Sequence, residues 1–201
     1  MKPLIALLLL ASLAGCAVTP PRMPATSPEL AWQERQAQLQ SLKLWQLTGR
    51  LAVQSGDDGW NATLIWRQEN EQYRMQLVAP LGQGSLQLEG DNQQVELRTS
   101  EGKSAVSSDP DTLILTELGW RVPVSALRYW VLGLAAPGPA EWELDAFGRL
   151  HHLKQSGWEV EFLDYAMQGT TELPSRLFVT NHQARVRLVI KRWELADDLR
   201  S

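Results

Sequence analysis

The 201-residue chain is poor in the residues from which catalytic and metal sites are usually built, with one cysteine and three histidines. A single thiol excludes a disulfide within the chain. His151 and His152 are adjacent, so on a strand they face opposite ways, and His182 stands apart. No HExxH spacing or second thiol accompanies them, which favours structural roles over metal ligation. No serine occupies a G-x-S-x-G turn, and no glycine-rich phosphate loop is present. The pairs Glu141/Glu143 and Glu159/Glu161 repeat at i, i+2 on the polar faces of strands, a pattern of solvation. The expectation is therefore no catalytic residue, no metal and no cofactor. Basic charge is also scarce: 19 Lys and Arg against 23 Asp and Glu leave a net charge of −4, which excludes a broad nucleic-acid-binding face.

What is present is a globular composition, 44% hydrophobic and 21% charged, in a chain long enough for one sizeable domain. Nine tryptophans suggest a core or cavity wall built from large rings. Residues 1–15 read as a signal peptide: Lys2 gives the positive start, and Leu4 to Leu13 form an apolar run far short of the ~20 residues that span a bilayer. The segment Leu13-Ala14-Gly15-Cys16 resembles the bacterial lipobox, so Cys16 is the expected lipidation site. The alternative is an ordinary secretory signal that happens to contain a cysteine. Ala17 and Val18 follow Cys16 where an aspartate is typical of inner-membrane retention, so by resemblance to that sorting rule the expected location is the outer membrane, facing the periplasm. Residues 16–28 contain Pro20, Pro21, Pro24 and Pro28 and read as an extended tether.

Residues 29–201 form the expected single domain. Ser27 and Pro28 open a helix through about Leu42. From residue 44 the apolar period becomes two, as in Trp45, Leu47, Gly49, Leu51 and Val53 against Gln46, Thr48, Arg50 and Gln54. The same alternation recurs through "WNATLIW", "YRMQLVA", "SLQLE" and "QVELRT", and again through "EWELD", "GRLHHLKQ", "WEVEFLDY", "SRLFVT" and "ARVRLVIKRWEL". Such alternation marks antiparallel strands with one dry and one wet face, and short polar turns make them a meander. Between the two runs, Asp109-Pro110-Asp111 starts a helix that stops at Gly119, and a second helix spans about 123–132 before Gly133. The predicted fold is mainly β: an incomplete, unclosed antiparallel β-barrel of about eleven strands, with the helices as filler or lid. Its dry face is either an ordinary core or the wall of an apolar cavity. The candidate lining residues are Trp45, Leu47, Trp60, Leu64, Trp66, Tyr73, Met75, Leu77, Leu127, Trp130, Val131, Trp142, Trp158 and Phe162.

One turn is unusual. In "QLVAPLGQGSLQL" (76–88), Pro80, Gly82 and Gly84 supply turn chemistry, yet Leu81 sits at the tip, where a polar residue is expected. It either projects or folds back against its own hairpin.

These residues together resemble a known family. The lipobox, the proline tether, Trp45-x-x-x-Gly49, Pro80-Leu81-Gly82, Leu127-x-x-Trp130-x-Leu132-Gly133-Leu134 and the tail around Trp193 are similar to the LolB family of outer-membrane lipoprotein receptors. The resemblance covers roughly residues 30–195. It implies a hydrophobic cavity under a helical lid that accepts lipoprotein acyl chains from the periplasmic carrier LolA and releases the lipoproteins into the outer membrane. The soluble carrier shares the fold but has no lipidated cysteine, so Cys16 favours the receptor. The resemblance also implies that Leu81 is the exposed leucine of a membrane-delivery loop. Expected partners are LolA, lipoproteins through their acyl chains and outer-membrane lipid, with no nucleic acid, and the expected state is a monomer. The alternative is a structural or assembly outer-membrane lipoprotein whose apolar β face is an ordinary core; an envelope hydrolase lacks a nucleophile.

Overall fold

The structure, a computed structural model, describes residues 23–82 and 84–200. The signal peptide, Cys16 and most of the tether lie outside the described residues. The chain enters at a backbone hydrogen bond from the Ala25 N–H to the Ala146 carbonyl, then forms helix α1 (Pro28–Gln40). Ser27 caps it as the sequence predicts, its hydroxyl accepting from the Leu30 N–H at 3.4 Å. The helix ends two residues earlier than expected, because Ser41 turns its own N–H back onto the last turn.

Eleven strands follow: β1 (Leu44–Ser55), β2 (Asp58–Glu69), β3 (Gln72–Val78), β4 (Ser85–Gly90), β5 (Val95–Thr99), β6 (Ser104–Ser107), β7 (Ala140–Leu144), β8 (Leu150–Gln155), β9 (Trp158–Gln168), β10 (Thr171–Thr180) and β11 (Ala184–Leu195). Helices α2 (Pro110–Leu118) and α3 (Val124–Trp130) interrupt them between β6 and β7, and a short α4 (Ala196–Arg200) ends the chain. All strands join one antiparallel sheet in the order β6-β5-β4-β3-β2-β1-β11-β10-β9-β8-β7, so the barrel is unclosed and its edges are β6 and β7. The predicted fold class is the observed one. The strand β6 and helix α4 lack a readable signal in the sequence, since "SAVS" is four small or short residues and "ADDLR" carries no apolar stripe. Among the described residues, no helix is long and apolar enough to cross a membrane.

The sheet curls because its ladder is broken where it must bend. Register shifts fall at Thr48/Gly49 on β1 and on either side of Arg176 on β10. At the first, a Cβ on Gly49 would stand 2.5 Å from the Val189 carbonyl oxygen, so only glycine permits that approach. The concave face carries the core and is mostly buried. Asp109 caps α2 through the Thr112 N–H at 2.9 Å, and Gly119 ends it in the left-handed conformation at φ 71°.

The two halves of the concave face are filled differently. Over β8–β11, Leu150, Leu153, Val160, Leu173, Leu177, Val179 and Val186 are completely shielded from solvent. The C-terminal turn of α3 seals them: Trp130 donates its Nε1–H to Gln155 Oε1 at 3.0 Å, and the same buried amide accepts from the Ala136 N–H at 2.9 Å and donates to its carbonyl at 2.7 Å. Over β1–β5, α2 and the start of α3 form the cover, and the fit is looser.

Candidate functional site

Under that looser cover lies a small apolar cavity of about 50 Å³. Strands supply Leu51, Val53, Leu64, Trp66, Met75, Leu77, Leu86, Leu88 and Leu188; the lid segment supplies Ile114, Leu118, Trp120, Val122, Val124 and Leu127. Every lining residue is Leu, Val, Ile, Met or Trp. Alternation places the strand residues there, and helical spacing turns Ile114 and Leu118 down from α2. Leu51, Leu77, Leu86, Val122 and Val124 keep 7–9% exposure, unlike the sealed residues over β8–β11.

Of the fourteen expected lining residues, five reach this cavity: Leu64, Trp66, Met75, Leu77 and Leu127. Tyr73 and Trp158 line a neighbouring cleft of about 540 Å³ with α3 and the start of α2. Trp60 packs on Trp120, ring centroids 4.7 Å apart, beside a separate cleft of about 240 Å³. Trp45 sits between Trp66 and Trp193, 5.4 Å from each, and with Leu47, Trp130, Val131 and Phe162 belongs to the buried core. Trp142 shares a face with Leu153 as its cross-strand partner, but β7 is a sheet edge where the described residues cover it only partly, so it is 46% exposed. It is no cavity wall. Parity alone found the right face and could not locate the unfilled part of it. The lining residues it passed over, such as Leu51, Leu86, Ile114 and Leu188, carry the same apolar period, while several of the expected tryptophans fill the core.

The lid is held by few polar ties. On α3, Arg128 pairs with Glu71 in the β2–β3 turn at 2.7 Å and reaches Asn92 in the β4–β5 turn at 3.4 Å. That hydrogen bond from Arg128 holds the Glu71 carboxyl below the usual carboxylate range. Asp111 of α2 accepts from the Ser125 N–H at 2.9 Å, joining the two lid helices, and burial raises its pKa.

Leu81 lies in a one-turn 3-10 segment (Pro80–Gly82) between β3 and β4 and is 95% exposed. It does not fold back on its hairpin. Its φ of 56° and ψ of 28° put it in the left-handed region, an uncommon place for a leucine and costly by about 1–3 kcal/mol. The Ala79 N–H bonded to the Gly84 carbonyl at 3.0 Å closes the loop beneath it. On the convex face Glu141, Glu143, Glu159 and Glu161 are exposed, and His152 lies there between Glu143 and Glu161. Among the described residues no group of three His, Cys, Asp or Glu is placed to hold a metal.

Comparison with known proteins gives concordant results. The family model described as "Outer membrane lipoprotein LolB" matches residues 43–193. A relative named outer-membrane lipoprotein LolB from Nitrosococcus oceani is 41% identical over 95% of this chain and 96% of its own. A second, with the same name, from Alkalilimnicola ehrlichii, is 42% identical over 92% of each chain. Among solved structures, a LolA superfamily protein from Nitrosomonas europaea shares the fold with a TM-score of 0.50 at 8% identity, covering 88% of this chain and 95% of that one. A DUF1329 family protein from Desulfovibrio piger does so with a TM-score of 0.52 at 6% identity, over 87% and 94%.

Proposed function

Since the chain belongs to the LolB family of outer-membrane lipoproteins, we propose that its apolar cavity is the place where acyl chains rest during lipoprotein sorting. The protein is a lipoprotein-sorting receptor of the outer membrane and not an enzyme. In the finer reading, the periplasmic carrier LolA delivers the acyl chains, a monomeric receptor takes them under its lid, and the bilayer receives them. Cys16 carries the lipid anchor, and residues 16–28 tether the domain of residues 29–201.

The observation that carries this reading is the all-apolar cavity beneath a lightly tied lid. At about 50 Å³ it has room for one or two water molecules and no acyl chain, so loading requires α2 and the start of α3 to lift. Lifting uncovers Ile114, Val124 and Leu127, each worth about 1.5–3 kcal/mol of burial unless the guest covers them again, and breaks the Arg128–Glu71 pair, worth up to about 1 kcal/mol. Each buried CH₂ of an entering chain contributes about 0.8 kcal/mol, and a long chain also covers the uncovered lid residues again, so it offsets the cost of lifting. Transfer then needs no chemistry and no nucleotide, only apolar sites of increasing affinity ending in the bilayer. Leu81 fits the last step: an apolar tip left 95% exposed by the described residues gains by entering lipid.

The test is binding of an apolar fluorescent probe by unlipidated protein carrying Cys16→Ala. Saturable binding is expected, and its absence returns the dry face to an ordinary core. For the tip, Leu81→Glu is expected to retain probe binding and lose delivery of lipoproteins into outer membranes; normal delivery removes the role given to Leu81.

A further inference from the structure

The 540 Å³ cleft beside α3 adjoins the acyl cavity, since Trp66 and Val124 line both. Buried behind its wall are two hydrogen-bond donors and one acceptor, Gln68 Oε1, with no partner among the described residues. Trp66 is 2% exposed, and its Nε1–H has no partner among the described residues; the Tyr73 hydroxyl, equally hidden from solvent, has none either. The two side chains share the concave face on neighbouring strands, Trp66 opposite Met75 and Tyr73 opposite Gln68. Leaving a buried donor unbonded costs roughly 1–3 kcal/mol, and two such donors at the junction of a cavity and a cleft mark a place where an acceptor arrives. Gly90, the cross-strand partner of Tyr73, keeps the backbone low there: a Cβ on it would stand 3.0 Å from the phenol oxygen.

We propose that this junction is a subsite for the carbonyl groups that join an acyl chain to its headgroup or peptide, with the Trp66 Nε1–H and the Tyr73 hydroxyl as donors once the lid lifts. The inference rests on the acyl-cavity reading and adds the chemistry at the polar end of the chain. The electrostatics select a neutral acceptor. Asp91, Asp109 and Asp111 line the cleft, while its Arg128 is already paired with Glu71, so a phosphate or free carboxylate is repelled. The phenol stays a donor at any physiological pH, because burial, with help from those carboxylates, pushes its pKa up to about 12. The arrangement places the first chain carbons against Trp66, with the rest of the chain in the all-apolar cavity.

The experiment measures displacement of an apolar fluorescent probe from the mature protein by two matched pairs of lipids. One pair is a short-chain diacyl phosphatidylcholine and its dialkyl-ether analogue; the other is an S-diacylglyceryl cysteine peptide and its dialkyl-ether form. The ester member of at least one pair is expected to bind about tenfold more tightly, the worth of one or two net hydrogen bonds. A preference in the peptide pair alone assigns the subsite to protein-borne lipid, in the phospholipid pair alone to membrane lipid, and in both to the carbonyl itself. Tyr73→Phe and Trp66→Phe are each expected to bring the ester-to-ether ratio to about threefold or below. Tyr73→Phe is further expected to unfold at the same temperature as the parent or higher, since the hydroxyl it removes is unbonded. Equal ester and ether affinities, or a ratio unmoved in both variants, overturn the subsite alone. Failure of every lipid to displace the probe overturns the acyl-cavity reading together with it.

Discussion

The two halves of one concave face obey the same alternation and have different physical characters. Over β8–β11 the apolar side chains are completely buried, and a buried amide, Gln155, holds the end of α3 through Trp130 and the loop after it through two bonds to Ala136. Over β1–β5 the side chains are as apolar, but α2 and the start of α3 are held over them by the partly exposed Arg128–Glu71 pair and the longer Arg128–Asn92 bond, while Asp111 joins the two helices to each other. The difference teaches that a receptor needs only part of its core to be soft. A packed half keeps the sheet in shape, while under the proposed function the other half exchanges its helical cover for an acyl chain.

Truncations break this comparison most directly. Leu177→Ala, in the sealed half, is expected to cost about 2–5 kcal/mol, because close-packed neighbours cannot fill the space. Leu77→Ala, on the cavity wall, is expected to cost about half as much, since the lid can settle, and to raise probe capacity. Equal costs by denaturant titration would erase the distinction. Gln155→Ala ranks next at about 2–3 kcal/mol, leaving the Trp130 Nε1–H and both Ala136 backbone groups unbonded.

Smaller effects sharpen the picture at the lid. Glu71→Gln is expected to change stability by less than about 1 kcal/mol and to speed probe entry severalfold by stopped-flow fluorescence. The Glu71 carboxyl titrates below its ordinary value because Arg128 bonds to it. Its contribution is therefore complete above the unfolded carboxylate pKa and is lost as pH falls through the depressed one. Probe entry should accelerate in that acid range in the parent and less so in Glu71→Gln. Last, Leu81→Glu is expected to shift stability by no more than about 0.5 kcal/mol, as its side chain touches water only.

Strand alternation made the sheet legible almost throughout, and Asp109-Pro110 and Gly119 marked α2 to the residue. The cavity was less legible for a definite reason. Alternation assigns a face, whereas emptiness depends on what lies above that face, and cover comes from residues distant in sequence. Trp45 and Trp66 have the same parity and meet ring to ring, yet only Trp66 touches the open space. Trp142 shows the converse, correct in face and left partly bare because its strand is the last in the sheet. The unbonded donors on Trp66 and Tyr73 are invisible in sequence altogether, since a hydrogen bond not made has no pattern.

The missing pair between β6 and β7 has a mechanical meaning. A closed barrel has a fixed circumference, set by its strand number and stagger, and widening it breaks ladder hydrogen bonds. This sheet ends on two short strands with no ladder between them, so its radius can grow by a few degrees of extra splay at each strand without losing a backbone bond. The split ring is a hinge spread over eleven strands, and under the proposed function it would let the interior volume follow the size of its acyl guest.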